Sequence, residues 1–177
     1  MISHERLAVL LRAAKGEESV DTVIRNGRIV NVFTNTVEEG FCVGIKEGMI
    51  AFVEEDLKDR KAVGGRRTID AQGAFLCPGF IDAHTHLDGF YPFHEFAPAS
   101  LKGGTTTVVA ECAMVANSCG IAGLGDFFES TKGSPLRCFF LAPPLTPPFP
   151  RMEGSKGLTF RQFKKVLKRD DCVGIGE

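Results

Sequence analysis

The chain has 177 residues, 44% of them hydrophobic and 24% charged, with a formal net charge of -1. That composition suits a globular protein with a buried core, and a near-neutral charge offers no basic field for nucleic acid or an acidic membrane. The start, Met1-Ile2-Ser3-His4-Glu5-Arg6, is charged without an apolar stretch, and no run is long and apolar enough to cross a bilayer, so the expectation is a cytoplasmic protein with no membrane partner.

In chain order, Ser3 to Ala14 reads as a helix. Leu7, Leu10, Leu11 and Ala14 recur at i, i+3, i+4 and i+7, Ser3 can cap the start and Gly16 can end it. Short alternating runs follow. Val23-Ile24-Arg25, then Asn26-Gly27, then Arg28 to Val32 carries a hairpin signature. Phe41 to Ile45 faces Met49 to Val53 across Lys46-Glu47-Gly48, and Arg67 to Asp70 turns at Ala71-Gln72-Gly73 into Ala74-Phe75-Leu76. The charged stretch Glu54 to Arg67 reads as a solvated loop.

After Pro78 strands alternate with helices. Strand Phe80–His86 precedes a helix around Phe93–Lys102, strand Thr105–Glu111 a helix near Ile121–Ser130, and strand Leu136–Leu141 a helix at Thr159–Lys168. Cys172 to Glu177 forms a last strand. This alternation implies βαβ units, a parallel sheet and right-handed crossovers. A complete (β/α)8 barrel needs roughly 250 residues. The expected fold is therefore α/β: a small β-sandwich-like domain plus the first half, about four β/α units, of a TIM-type barrel. The boundaries are an N-terminal helix at 1–19, a small antiparallel β-domain at 20–77 and a partial barrel at 78–177.

Six cysteines, Cys42, Cys77, Cys112, Cys119, Cys138 and Cys172, form no Cys-x-x-Cys pair and read as free thiols of a reducing compartment. Pro143 to Pro150, following a strand, reads as a stiff pocket wall.

The chemistry centres on Pro78-Gly79-Phe80-Ile81-Asp82-Ala83-His84-Thr85-His86. In a strand, Asp82, His84 and His86 share one face at i, i+2, i+4. The small apolar Ala83 suits the helix side, so the polar trio is expected to face the lumen. His86 is placed at the carboxyl end of the strand, where barrel active sites form. Two neutral imidazoles on one strand are half of a metal site.

These residues resemble the first barrel strand of the amidohydrolase superfamily, and the upstream β-runs resemble its composite sandwich. More narrowly, Ile2 to Leu7, Arg25 to Thr34, Gly104 to Val109 and the terminal Val173-Gly174-Ile175-Gly176-Glu177 resemble the bacterial adenine deaminases. The resemblance implies a binuclear divalent centre of manganese, iron or zinc. His84 and His86 would be ligands, and Glu177 the catalytic, metal-bridging carboxylate. An activated water would attack C6 of a small purine, converting adenine to hypoxanthine and ammonia. Asp82 is expected to hold a ligand imidazole by hydrogen bond. Asp88 and Glu111 are candidates for substrate contact. A full-length relative would be a homo-oligomer.

Two departures keep the substrate open. Where adenine deaminases often carry an acidic-Pro-His-Glu run, this chain has Glu111-Cys112-Ala113-Met114. After His86 it has Leu87-Asp88-Gly89-Phe90 in place of Ile-Glu-Ser-Ser. The alternatives are another amidohydrolase acting on a cyclic amide or N-acyl group, and a non-catalytic half-barrel that binds metal or a second chain. The histidines and aspartate that the superfamily takes from later strands are not in these 177 residues. The isolated chain is therefore expected to be inactive.

Overall fold

Two units make up the fold, Met1–Pro78 and Gly79–Glu177, in a computed structural model that describes residues 2–56, 65–145, 147–149 and 151–177. Among the described residues no helix is long and apolar enough to cross a membrane.

The first unit opens with α1 (His4–Ala14), capped as expected by Ser3, whose Oγ accepts from the Arg6 N–H at 3.3 Å. Its buried face is Leu10 and Ala13; Leu7 and Leu11, expected there, are exposed. β1 (Val20–Arg25), β4 (Phe41–Lys46), β5 (Met49–Glu55) and β6 (Gly65–Asp70) form one sheet in the order β5-β4-β1-β6. β2 (Arg28–Asn31), β3 (Thr36–Glu38) and β7 (Phe75–Leu76) form another in the order β3-β2-β7. The β4–β5 hairpin is as expected, with Lys46 opposite Met49 and positive φ at both Glu47 (50°) and Gly48 (73°).

The hairpin expected at Asn26-Gly27 does not form. β1 pairs with β4 and β6, whereas β2 pairs with β3 and β7. Asn26 (φ 57°) is a corner where the chain leaves one sheet for the other. The parallel neighbour turns the same corner alongside. Ala71 N–H donates to Arg25 O at 2.8 Å, Gly73 N–H to Asn26 O at 2.7 Å, and Arg28 N–H to Ala74 O at 2.9 Å. A Cβ at Gly27 would overlap the Leu76 side chain, so the corner needs glycine. The β-domain is consequently mixed rather than antiparallel, with β1–β6 and β2–β7 both parallel. The expected loop from Glu54 to Arg67 is shorter than its charge suggests. Glu54 and Glu55 belong to β5 and Gly65 to Arg67 to β6, while 57–64 lie outside the described residues.

The second unit is a parallel sheet of β8 (Phe80–His86), β9 (Thr105–Glu111), β10 (Arg137–Ala142) and β11 (Cys172–Ile175), in the order β11-β10-β9-β8. Between them run α2 (Phe93–Lys102), α3 (Ala113–Ser130) and α4 (Phe160–Leu167). This is the expected succession of β/α units. Val108, Ala110, Phe140 and Ala142 from the strands pack with Phe93, Ala97, Leu124, Phe128 and Val166 from the helices. The Phe128 and Phe140 ring centroids lie 4.5 Å apart. α3 begins eight residues before the expected start at Ile121 and breaks at Gly120 (φ 66°, ψ -156°). α4 starts with a full capping box between Thr159 and Gln162.

Candidate metal centre

Alternation along β8 decides which side chains reach the site, and it is interrupted. Asp82 pairs with Val108 and Thr85 with Ala110, so three steps along β8 are matched by two along β9. That is a bulge, and it changes the parity of the strand. Asp82 and Thr85 are aligned with Val108 and Ala110, which belong to the core packed beneath the helices. His86 is aligned with Glu111 on the opposite face. Asp82 therefore does not share the imidazole face, contrary to the i, i+2, i+4 expectation. Nor does it bond an imidazole. Its Oδ1 accepts from the His84 backbone N–H at 3.2 Å, a local bond that holds the irregular turn of strand.

The two imidazoles do converge. Their ring centroids are 5.2 Å apart, nearly perpendicular at 76°. Both point at one carboxylate oxygen: His84 Nε2 lies 3.5 Å and His86 Nε2 3.3 Å from Glu177 Oε1. Glu177 stands just past the end of β11, so residues far apart in sequence meet only because the sheet is parallel and its strand ends are level. All three side chains are open, at 48%, 38% and 70% exposure.

Glu111, at the end of β9, is fully buried. Its Oε1 accepts from the Glu177 backbone N–H at 2.9 Å, and its Oε2 has no hydrogen-bond partner among the described residues. Burial pushes its carboxyl upward, against the pull of the Glu177 N–H and of the two imidazoles. Gly176 packs so closely on this carboxylate that a Cβ there would overlap it.

This arrangement fits a divalent cation. Donor atoms of His84, His86 and Glu177 all lie within 4.8 Å of one another. Ligands held about 2.1 Å from an ion in a tetrahedron stand about 3.4 Å apart, close to the two separations seen. Two imidazole nitrogens and a carboxylate oxygen suit zinc, manganese or iron. The orphaned buried oxygen of Glu111 is a further polar atom without a partner among the described residues.

The other candidates are placed differently. Asp88 caps a helix: its Oδ2 accepts from the Val115 N–H at 2.9 Å in the first turn of α3, which explains that helix's early start. Cys112 is buried, and burial first, then Asp88 and Glu111, raises its thiol pKa well above the ordinary value. Pro143 is buried after β10 and Leu145 and Phe149 are exposed, while Thr146 and Pro150 lie outside the described residues. Sequence reasoning missed Gly176 and the Glu111–Glu177 bond, a contact across 66 positions with no local signature.

Comparison with known proteins gives the chain's relatives. The Amidohydrolase family matches residues 67–125, which include both histidines and Glu111. Over those residues the chain resembles that family. Among the folds it resembles is that of atrazine chlorohydrolase from Arthrobacter aurescens TC1, solved with zinc, at TM-score 0.62 and 19% identity over 82% of this chain and 42% of that one. More narrowly, the chain resembles the N-terminal portion of bacterial adenine deaminase. It is 37% identical to the adenine deaminase of Geobacillus kaustophilus over 98% of this chain and 29% of the relative, and 35% identical to that of Listeria welshimeri over 98% and 28%. The chain thus spans less than a third of the length of these curated relatives.

Proposed function

We propose that this chain supplies the first-strand and fourth-strand donors of a metal-dependent aminohydrolase that converts adenine and water to hypoxanthine and ammonia. The observation that carries the reading is the meeting of His84 Nε2 and His86 Nε2 at one oxygen of Glu177. A divalent ion bound there supplies Lewis acidity and acidifies a water at neutral pH. The chain's own residues do the rest of what can be assigned. His84 and His86 bind through neutral imidazole nitrogens held by one strand. Glu177 brings a second oxygen as well as the one facing the imidazoles, so it can serve two ions.

Three donors are fewer than a binuclear centre needs. The 177-residue chain alone is therefore proposed to bind metal without turning over adenine. A cyclic-amide or N-acyl substrate is the second reading, favoured by the Glu111-Cys112-Ala113-Met114 run at the end of β9.

A chimera tests the proposal. This chain would replace the matching 175 residues of the Geobacillus kaustophilus adenine deaminase. Adenine-dependent ammonia release by the chimera, abolished by His84→Ala, is the expected result. A folded, metal-loaded chimera that ignores adenine but hydrolyses a cyclic amide or N-acyl amino acid would overturn it in favour of the second reading.

A further inference from the structure

We propose that Glu111 is the positioning residue of this centre: its buried carboxylate seats the Gly176–Glu177 backbone so that the Glu177 side chain meets both imidazoles. The inference rests on the metal reading above and adds a role which that reading does not contain.

Three observations carry it. Glu111 is fully buried yet ends a strand beside His86, its aligned neighbour in the sheet. One of its oxygens is committed to the Glu177 N–H at 2.9 Å, a bond to the very residue that presents the third donor. Gly176 leaves no space for a Cβ against that carboxylate, so the strand end can approach Glu111 only because it carries glycine. A second backbone bond, Gly176 N–H to Ala142 O at 2.9 Å, fixes the same segment from β10. The last residues of the chain are thus held from two adjacent strands, while the Glu177 side chain itself stays 70% exposed and is directed at the imidazoles. Fixing the Glu177 backbone removes the main-chain part of the freedom that an ion would otherwise have to order. The Oε2 of Glu111 is left without a hydrogen-bond partner among the described residues.

The test uses the 177-residue chain, with zinc as the probe. Hydrogen exchange of the Glu177 amide is read without metal, and zinc affinity by calorimetry. In the unaltered chain the Glu177 amide should exchange slowly. Glu111→Ala should speed that exchange and weaken zinc about 10- to 100-fold, the usual effect of losing a group that orients a ligand. Glu111→Gln keeps an oxygen acceptor and should restore both. Gly176→Ala should reproduce the Glu111→Ala defect from the other side of the contact. A Glu177 amide that exchanges freely in the unaltered chain would overturn the inference, whether or not the variants fold. So would Glu111→Ala binding zinc as tightly as the unaltered chain, or Glu111→Gln as weak as Glu111→Ala with the amide still protected, which would mean that Glu111 acts through its charge alone. His84→Ala separates the two levels: if it leaves zinc binding unchanged, the metal reading fails, whatever the Glu177 amide does.

Discussion

Among the described residues each unit buries one long charged side chain, and the two are treated in opposite ways. In the first unit Lys46 is 5% exposed, and its Nζ donates to Ser19 O at 2.8 Å and sits 2.9 Å from a Glu18 oxygen. In the second unit Glu111 is fully buried, makes one backbone bond and leaves its other oxygen without a partner. Buried charge is costly unless paired. A satisfied lysine therefore reads as structure, and a half-satisfied glutamate beside two imidazoles reads as a place prepared for a cation. The lesson is that burial by itself does not separate scaffold from site; an orphaned carboxylate oxygen reads as site at Glu111 because metal-ligating side chains stand beside it, whereas the one on Asp88 belongs to a helix cap.

The sharpest way to break that comparison is to remove a donor. His84→Ala, His86→Ala or Glu177→Ala should each weaken zinc at least about 100-fold, more than loss of an orienting group does, while thermal melting without metal stays unchanged. Calorimetric titration of the three variants checks this. If any of them binds as the unaltered chain does, Glu111's orphan oxygen loses its explanation.

Next in size is a change that should harm the scaffold and spare the site. Phe140 is 1% exposed and lies between Phe127 and Phe128, with centroids at 6.4 and 4.5 Å. Phe140→Ala should cost about 3–5 kcal/mol in denaturant unfolding, through lost burial and a cavity. Zinc affinity measured under folding conditions should be retained. A smaller effect is expected at Asp88, whose contribution is a helix cap rather than a ligand. Asp88→Ala should cost about 1 kcal/mol, with no change in zinc binding; a large loss of affinity would return Asp88 to the site.

The smallest expected effect sharpens the lysine side. The hydrogen bond from Lys46 holds the Glu18 carboxyl below its usual value of 4.5. A depressed carboxylate adds stability that is present above its ordinary value and is lost as pH falls through the lowered one. The first unit should accordingly lose stability at the acid end of that window, and Lys46→Met should make the acid limb shallower. Thermal melts from pH 6 down to about pH 3 check the slope; an unchanged limb would mean that the pair contributes nothing measurable.

Much of this fold was legible in the sequence, and the failures have one physical cause. β8 ran from Phe80 to His86 as its apolar lead-in and flanking Pro78-Gly79 suggest, and the Glu47-Gly48 hairpin followed from local turn chemistry. Asn26-Gly27 failed because positive φ at a tight turn is equally compatible with a hairpin and with a corner between sheets. The choice is made by Ala71 to Ala74, more than 40 positions away. Asp82 failed because a bulge inside β8 depends on its register against β9, which the alternating pattern of one strand does not contain. Among the site residues, the spacing of His84 and His86 was readable within a single strand. The meeting with Glu177 was an implication of family resemblance, and Glu111's grip on Glu177 required the sheet itself.

The central claim is that His84, His86 and Glu177 form one donor set, and X-ray absorption at the zinc edge of the zinc-loaded chain tests it most directly. The account predicts two imidazole nitrogens and carboxylate oxygen at about 2.0–2.1 Å, with the imidazole signal lost in His84→Ala/His86→Ala. A sulfur shell near about 2.3 Å, or a first shell unchanged in that double variant, would contradict it.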